Sequence, residues 1–205
     1  IVTELEKYVK LSKQVYMQAY RRVIKGEQVP ANEKLLSIFE THTDIICRGK
    51  KGSAAEFGHK IDFGFGKSGM ILRYEVLKGN PGDNEIIERV LDSHIGTFGK
   101  APEDFTVDRR YFSKDNEELV RLKGVKNIGM PKPGFINGIR RSIQKSKCFK
   151  KLMRFRAGIE GLLSNLIRSF GLKRCLWKGW ESFKSYIGFG ALAYNLRILA
   201  AHLSK

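Results

Sequence analysis

Two acidic residues stand where a folded chain could use them for chemistry. The first is Asp108, which follows the apolar run FTV at 105–107. The run predicts a short buried strand, and ligand-binding groups of α/β sheets gather where strands end. The alternative is an ordinary loop aspartate that caps the next helix, although Ser113 already offers that cap.

The second acid is Glu160, in a stretch that predicts an amphipathic helix. Arg154, Arg156 and Arg168 surround it in sequence, so its carboxylate could hold a metal ion beside a phosphate group. Arg156 and Glu160 are also four residues apart, which is typical of a plain surface ion pair worth a few tenths of a kcal/mol (~0.3). The residues alone leave both interpretations open.

Carboxylates that converge from a sheet and a helix suit phosphoryl transfer. Such a cluster can hold two divalent ions about 4 Å apart, which stabilise the attacking and leaving oxygens. Mg²⁺ or Mn²⁺ is predicted because both prefer oxygen ligands. The three cysteines and four histidines show no ligand spacing in the sequence. Asp62, within a predicted strand, is interpreted as a surface or edge acid.

The charge distribution predicts a nucleic-acid partner. The chain has 205 residues, 38 Lys+Arg, 21 Asp+Glu and a net charge of +17. Thirteen Lys/Arg and only two acids fall within 138–184. A charge that served solubility alone would be spread more evenly, whereas polyphosphate backbones need clustered cations. No run approaches the roughly 20 apolar residues of a membrane-spanning helix.

The order of predicted elements favours an α/β fold. An amphipathic helix over 1–25 ends at Gly26, and three β-rich runs follow at 35–47, 57–65 and 70–77. A strand–helix–strand alternation from about 104 to 130 implies parallel pairing through a crossover. Helices are predicted beyond residue 138. This order is that of a ribonuclease H-like mixed sheet, an antiparallel meander plus parallel strands, flanked by helices.

Four segments together carry a family resemblance: 37–60, 79–83, 107–113 and 154–175. In their order and spacing the chain resembles DDE transposases of bacterial insertion sequences, and GFGALAYNLRILA resembles the end of these enzymes. The resemblance implies a ribonuclease H-like domain at 31–205 that cuts and joins DNA. Residues 1–30 would then be the end of a helical insertion and its linker.

The resemblance also implies roles for individual residues. Three acids bind two Mg²⁺ ions in the family, and by position Asp108 is the second acid and Glu160 the third. The third acid in relatives lies in a Tyr-x2-Arg-x3-Glu-x6-Lys pattern. Arg156 fits this pattern, but Met153 and Ile167 occupy the Tyr and Lys positions, which weakens the assignment of contacts to DNA ends.

The first acid of the family has no clear counterpart. Relatives carry it on an earlier strand, so the resemblance implies that this chain lacks its N-terminal strand, with Asp44 as a weak substitute. The chain is then expected to be a truncated transposase that is inactive alone unless Asp44 takes that role. The alternative is a non-catalytic DNA-binding remnant of such an enzyme.

The expected partners follow from the same resemblance. Double-stranded DNA, as transposon ends and target, is the predicted substrate, with no membrane partner and a homodimer in a synaptic complex as one expected arrangement. The expected location is the bacterial cytoplasm, at the nucleoid when DNA is bound. Trp177 and Trp180 could stack on unpaired bases or pack between helices. The predicted DNA contacts are Arg154, Arg156, Arg168, Lys173, Arg174 and Lys178.

Overall fold

The structure is a computed structural model that describes residues 2–46 and 55–204. These residues form six α-helices and six short β-strands. The helices are α1 Val2–Val23, α2 Ile87–Phe98, α3 Lys114–Leu122, α4 Gly138–Lys145, α5 Lys147–Ser169 and α6 Trp180–Leu203. The strands are β1 Asp44–Ile46, β2 Glu56–Gly58, β3 Ile61–Phe65, β4 Ile71–Val76, β5 Asp104–Thr106 and β6 Asn127–Gly129. Short 3₁₀ helices occupy Ala31–Glu33, Asp83–Glu85 and Arg109–Tyr111.

The chain divides into two compact units. Unit 1 holds the residues up to Ile61, together with Val76–Asn80 and Leu176–Tyr186. Unit 2 holds Asp62–Glu75, Pro81–Cys175 and the residues from Ile187 onward. The proposed boundary near residue 30, between a linker and a catalytic domain, stays a prediction.

The β-rich first half forms less strand than the sequence predicts. The run at 35–47 is extended only over β1, because residues 40–43 form a turn in which Thr43 bonds to the Glu40 carbonyl through its backbone at 3.0 Å and its hydroxyl at 2.8 Å. The run at 57–65 is shared between β2 and β3. Cys47, the last residue of the first run, lies outside the described residues.

The strands that the structure describes pair two by two instead of in one mixed sheet. β1 pairs antiparallel with β2, β3 pairs with β4, and β5 pairs in parallel with β6. The α/β class and the parallel crossover through α3 are therefore confirmed. The ribonuclease H-like arrangement of all strands in a single sheet stays a prediction.

Unit 1 is built on α1 and the β1–β2 hairpin. The Gln18 side chain of α1 accepts a hydrogen bond from the Leu35 backbone at 2.9 Å and donates one to its carbonyl at 2.8 Å. Asn80 accepts from Lys60 N at 2.8 Å and donates to the Ile45 carbonyl at 3.1 Å. These amides satisfy backbone groups that the short strands leave unpaired.

Unit 2 contains two apolar clusters. One cluster joins α2, α3 and the residues around β6, and its buried members are Ile87, Leu91, Val120, Val125 and Met130. The other joins β4, α5 and α6 through Ile71, Leu166, Ala191 and Tyr194. Asn195 of α6 completes the edge of β4, because its amide bonds to both the N–H and the carbonyl of Ile71 at 2.8 Å.

Close packing at Gly129 fixes α5 against the parallel strands. A Cβ at this position would lie 2.8 Å from Thr106 Oγ1 of β5 and 2.9 Å from Leu152 Cβ of α5. The Thr106 hydroxyl donates to the Gly129 carbonyl at 3.0 Å. Because β5 leads to Asp108 and α5 carries Glu160, this contact positions the two acids relative to each other.

The packing predicts that Gly129→Ala destabilises the protein. The added methyl group must displace Thr106 or the backbone of α5, which costs about 1–3 kcal/mol of unfolding free energy, as other overpacked positions do. Urea denaturation followed by circular dichroism measures this loss.

Gly158→Ala on α5 is the matched control, because a Cβ there meets no atom within 4 Å. In a helix interior this change is expected to stabilise by up to about 1 kcal/mol. Equal stability of the Gly129→Ala variant and the unchanged protein would contradict the close-packing argument.

Candidate active site

Asp108 lies two residues beyond the end of β5. Val107 N donates to the Gly129 carbonyl at 3.1 Å, so the strand pairing continues up to the acid. The Asp108 carboxylate then caps the 3₁₀ helix Arg109–Tyr111 by accepting from Arg109 N at 2.6 Å. Ser113 caps α3 by accepting from Asn116 N at 3.0 Å, as the sequence predicts. Asp108 is thus a cap, but of the 3₁₀ helix and not of α3.

A single guanidinium lies between the two predicted acids. Arg156 Nη2 is 2.9 Å from Asp108 Oδ2, and Arg156 Nη1 is 3.5 Å from Glu160 Oε1. The Arg156–Glu160 pair is the i,i+4 surface pair that the sequence allows, and Asp108 extends it to a triad. The side chains of Asp108 and Glu160 are 43% and 73% exposed, so both carboxylates are open to solvent.

These residues line a cavity of about 790 Å³ in unit 2. Its wall includes α5, the end of β5, the β3–β4 hairpin and α2. Six acidic and six Lys/Arg side chains line it, so the cavity is close to neutral. The acids are Asp62, Asp83, Glu103, Asp104, Asp108 and Glu160, and the cations are Lys67, Arg73, Lys100, Arg110, Lys151 and Arg156.

Asp62 of β3 is a third carboxylate in this cavity. The interpretation of Asp62 as a surface acid is wrong, because its side chain is 13% exposed and pairs with Arg73 of β4, the strand that forms a two-stranded sheet with β3. Tyr111 Oη donates to Asp62 at 3.4 Å. Burial raises the pKa of Asp62, although Arg73 and Tyr111 act in the opposite direction.

The sequence did contain a signal for this pair, because Asp62 and Arg73 carry opposite charges on the two strands of one hairpin. Tyr111 connects the pair to the site, since it is the last residue of the 3₁₀ helix that Asp108 caps. Burial, and next the negative charge of Asp62, raise the pKa of the Tyr111 phenol. Tyr111 therefore stays neutral and able to donate.

Asp44, the predicted substitute for a first acid, is a residue of β1 in unit 1. Its carboxylate accepts from Gly79 N at 2.7 Å and lies 3.1 Å from His59 Nδ1. Both partners are in unit 1, where they hold the carboxylate in a local structural role.

The described residues contain no group of three or more His, Cys, Asp or Glu side chains arranged to hold a metal ion. Two of the carboxylates that line the cavity, Asp108 and Glu160, have a cation already between them. In such an arrangement the positive charge of the Arg156 guanidinium could be replaced by that of a metal ion. The carboxylates offer only oxygen donors, which suit Mg²⁺ or Mn²⁺.

The predicted DNA contacts are mostly on the surface. Arg156 is the exception, because it is 30% exposed and held in the two ion pairs. The exposed members are Arg154, Arg168, Lys173, Arg174 and Lys178. Five cations thus face solvent within or after α5.

Residues 36–196 match the family described as Transposase DDE domain. The chain belongs to this family. The match covers the cavity, including Asp108 and Glu160, whereas α1 lies outside it. The family resemblance inferred from the sequence is thereby confirmed, and DNA is the substrate class that a transposase family implies. No curated protein and no solved structure matches the chain significantly.

Within the described part of the chain, no helix combines the length and the apolar character needed to cross a bilayer.

The bridging guanidinium predicts competition between Arg156 and divalent cations. Arg156→Met leaves two carboxylates without their shared cation, so Mn²⁺ should bind about three- to tenfold more tightly than in the unchanged protein. Isothermal titration calorimetry measures the two affinities. Arg154→Met, which removes an exposed charge from the same helix, serves as the control.

Adding Asp108→Asn and Glu160→Gln to Arg156→Met should abolish the gained Mn²⁺ affinity. A gain that survives these two changes would place the Mn²⁺ ion elsewhere and contradict the assignment.

Proposed function

We propose that this chain is the catalytic region of a transposase that cuts and joins DNA strands, with Asp108 and Glu160 as its metal-holding acids. The supporting observation is the convergence of both carboxylates on one guanidinium in an open cavity. The acids come from a strand end and a helix that lie 52 positions apart in sequence. Their shared cation keeps them together at the surface without burying either one.

The donor chemistry fits the divalent ions that such an activity needs. Asp108 and Glu160 offer oxygen ligands only, which Mg²⁺ and Mn²⁺ prefer over zinc or copper. When bound, two such ions would activate the attacking oxygen and stabilise the leaving one. Asp44 is not proposed as a third acid, because its carboxylate already bonds to Gly79 N and pairs with His59.

Arg156 is proposed to change partners during binding. Its guanidinium can hold either the two carboxylates or a DNA phosphate, and planar two-point contacts to phosphate are a strength of arginine. If Asp108 and Glu160 held a divalent ion, Arg156 would no longer be needed between them and could contact the DNA backbone. The repulsion between a carboxylate pair and phosphate is then relieved by the metal ions and by Arg156 together.

Two neighbouring contacts hold Asp108 in place for this role. Arg109 N donates to the carboxylate at 2.6 Å, which fixes one of its oxygens. Tyr111, at the other end of the same 3₁₀ helix, is tied to Asp62 and so to the β3–β4 hairpin. Asp62 is accordingly proposed as a positioning residue and not as a metal ligand.

The wider proposal is that residues 31–205 form a ribonuclease H-like domain that lacks its first strand. Its substrate would be double-stranded DNA, at transposon ends and at the target. It would assemble as a homodimer in a synaptic complex. The corresponding location is the cytoplasm, where the protein would associate with the nucleoid through bound DNA. The parallel β5–α3–β6 unit and the exposed cations on and after α5 support this proposal.

The second candidate function is DNA binding without catalysis, as a remnant of a truncated transposase. One observation favours it: within the described residues, no third carboxylate joins Asp108 and Glu160 in a metal-holding group. The two candidates predict different results in a cleavage assay.

A catalytic region should nick supercoiled plasmid DNA when Mn²⁺ is present. Asp108→Asn and Glu160→Gln should each lower the nicking rate at least about a hundredfold, because a metal-holding acid contributes several kcal/mol to the transition state. Glu103→Gln, which changes an acid of the same cavity that pairs with Lys126, should keep the rate.

DNA binding by the unchanged chain without any Mn²⁺-dependent nicking would reject catalysis and support the remnant. Nicking that persists in both Asp108→Asn and Glu160→Gln would contradict the assignment of the acids.

DNA affinity should depend strongly on salt through the exposed cations of the basic segment. The logarithm of the DNA association constant falls linearly with the logarithm of the salt concentration. Replacing Arg154, Arg168 and Lys173 together by Gln should reduce the magnitude of this negative slope by about 2–3, since each lost phosphate contact reduces it by nearly 1. Fluorescence anisotropy on duplex DNA between about 50 and 200 mM salt measures the slope.

Lys10→Gln with Lys13→Gln, on the exposed surface of α1 and outside the basic segment, is the control and should leave the slope nearly unchanged. Equal slopes for the triple variant and the unchanged chain would contradict a phosphate-binding role of this segment.

A further inference from the structure

Helix α6 is apolar on two sides, and the structure buries only one of them. Among residues 187–204, Arg197 is the only Asp, Glu, Lys or Arg. Ala191 and Tyr194 lie in the apolar cluster that α6 forms with β4 and α5, and Ile198 packs against it. A helix that is apolar all round is normally buried all round. The exposed side of α6 is therefore expected to have a partner.

Four leucines occupy the exposed side of α6 within unit 2. They are between 43% and 79% exposed, and we call them the leucine stripe: Leu192, Leu196, Leu199 and Leu203. Successive members are four, three and four residues apart. This is the heptad spacing of a coiled-coil seam, in which apolar side chains repeat about every 3.5 residues. The spacing predicts that the partner is another α-helix with an apolar stripe of its own.

The spacing of the leucine stripe is the same in both directions along α6. A two-fold axis can therefore cross the helix at the midpoint of the stripe. An antiparallel second copy would then place its Leu199 opposite Leu196, and the same axis would place its Leu203 opposite Leu192. A two-fold interface joins the same patch of both subunits, so this stripe is complementary to itself. Antiparallel helices also bring opposite ends of their dipoles together.

The distribution of charge favours a second copy over DNA as the partner. The chain has a net charge of +17, so two copies repel each other over most of their surface. The neighbouring Arg197 is directed to α5, where it donates to Asn165 Oδ1 at 2.9 Å and lies 5.2 Å from the centre of the Phe170 ring. The leucine stripe itself offers no cation to a phosphate backbone. Two copies can thus meet there without placing a cation of one stripe against a cation of the other.

We infer that the leucine stripe is the contact surface of a homodimer in which two α6 helices pack antiparallel. Its role in transposition rests on the proposed function, which includes a homodimer. The contact itself requires neither DNA nor a metal ion, so it is tested without either.

Sedimentation velocity of the full chain, without DNA and after nuclease treatment, measures the association. The chain should change from monomer to dimer between about 1 and 100 µM, as expected of a small interface. Added salt should strengthen the dimer, because it screens the repulsion between two copies of charge +17. A dimer that weakens with salt would indicate association through bound nucleic acid and contradict the inference. A chain that stays monomeric at about 100 µM would overturn it and leave the stripe to a different partner.

Leu196→Glu places a carboxylate at the centre of the apolar seam. It should raise the dissociation constant of the dimer at least about tenfold, because the charge loses its water on association. Leu122→Glu at the end of α3 is the matched control, since Leu122 is 79% exposed and lies outside the stripe. Both variants should keep the circular dichroism spectrum of the unchanged chain. Equal dissociation constants for the two variants would contradict a role of the stripe.

Adding Leu199→Lys to Leu196→Glu tests the antiparallel arrangement. In the antiparallel dimer each introduced carboxylate faces an introduced ammonium group of the other copy, so most of the lost affinity should return. In a parallel dimer like charges would face each other. Absence of recovery in the double variant would overturn the antiparallel pairing.

The two proposals can fail separately. Asp108→Asn removes a proposed metal-holding acid and should still dimerise like the unchanged chain. Dimerisation without any Mn²⁺-dependent nicking would reject catalysis and keep the leucine stripe. Nicking by a chain that stays monomeric would keep catalysis and reject the stripe.

Discussion

The site depends on one guanidinium that neutralises two carboxylates at once. Asp108 and Glu160 come from distant parts of the chain, and without a cation between them their like charges would repel each other. Arg156 neutralises both carboxylates, because it lies one turn before Glu160 on the same helix and also pairs with Asp108. Gly129 makes the approach possible, since its missing side chain lets α5 pack directly on the parallel strands.

The same arrangement explains how a cavity in a chain of charge +17 can be close to neutral. Six acids and six Lys/Arg side chains line the cavity, whereas many of the other cations lie on exposed positions of α4, α5 and the segment that follows. In the proposed function, Asp108 and Glu160 would release Arg156 when they hold a divalent ion, which connects the ion pairs seen in the structure to the proposed chemistry.

The sequence predicted those parts of the fold that local signals determine. Helix α1, the parallel pairing of β5 with β6 and the Ser113 cap all follow from periodicity and capping residues. Asp108 was singled out because it follows a predicted strand, and Glu160 because it lies in a predicted helix among basic residues.

The extent of β1 was overestimated, because residues 40–43 form a turn, and the Glu40 side chain of this turn accepts a hydrogen bond from Gly179 N, a distant partner that the sequence does not reveal. The burial of Asp62 was missed although Arg73, its partner 11 positions away, carries the opposite charge on the other strand of the hairpin.

Anomalous diffraction from crystals of the full chain soaked in Mn²⁺ tests the central claim most directly. The account predicts Mn²⁺ bound directly to carboxylate oxygens of both Asp108 and Glu160, with the Arg156 guanidinium displaced from between them. Mn²⁺ bound elsewhere, with Arg156 still bridging the two acids at high Mn²⁺ concentration, would contradict it.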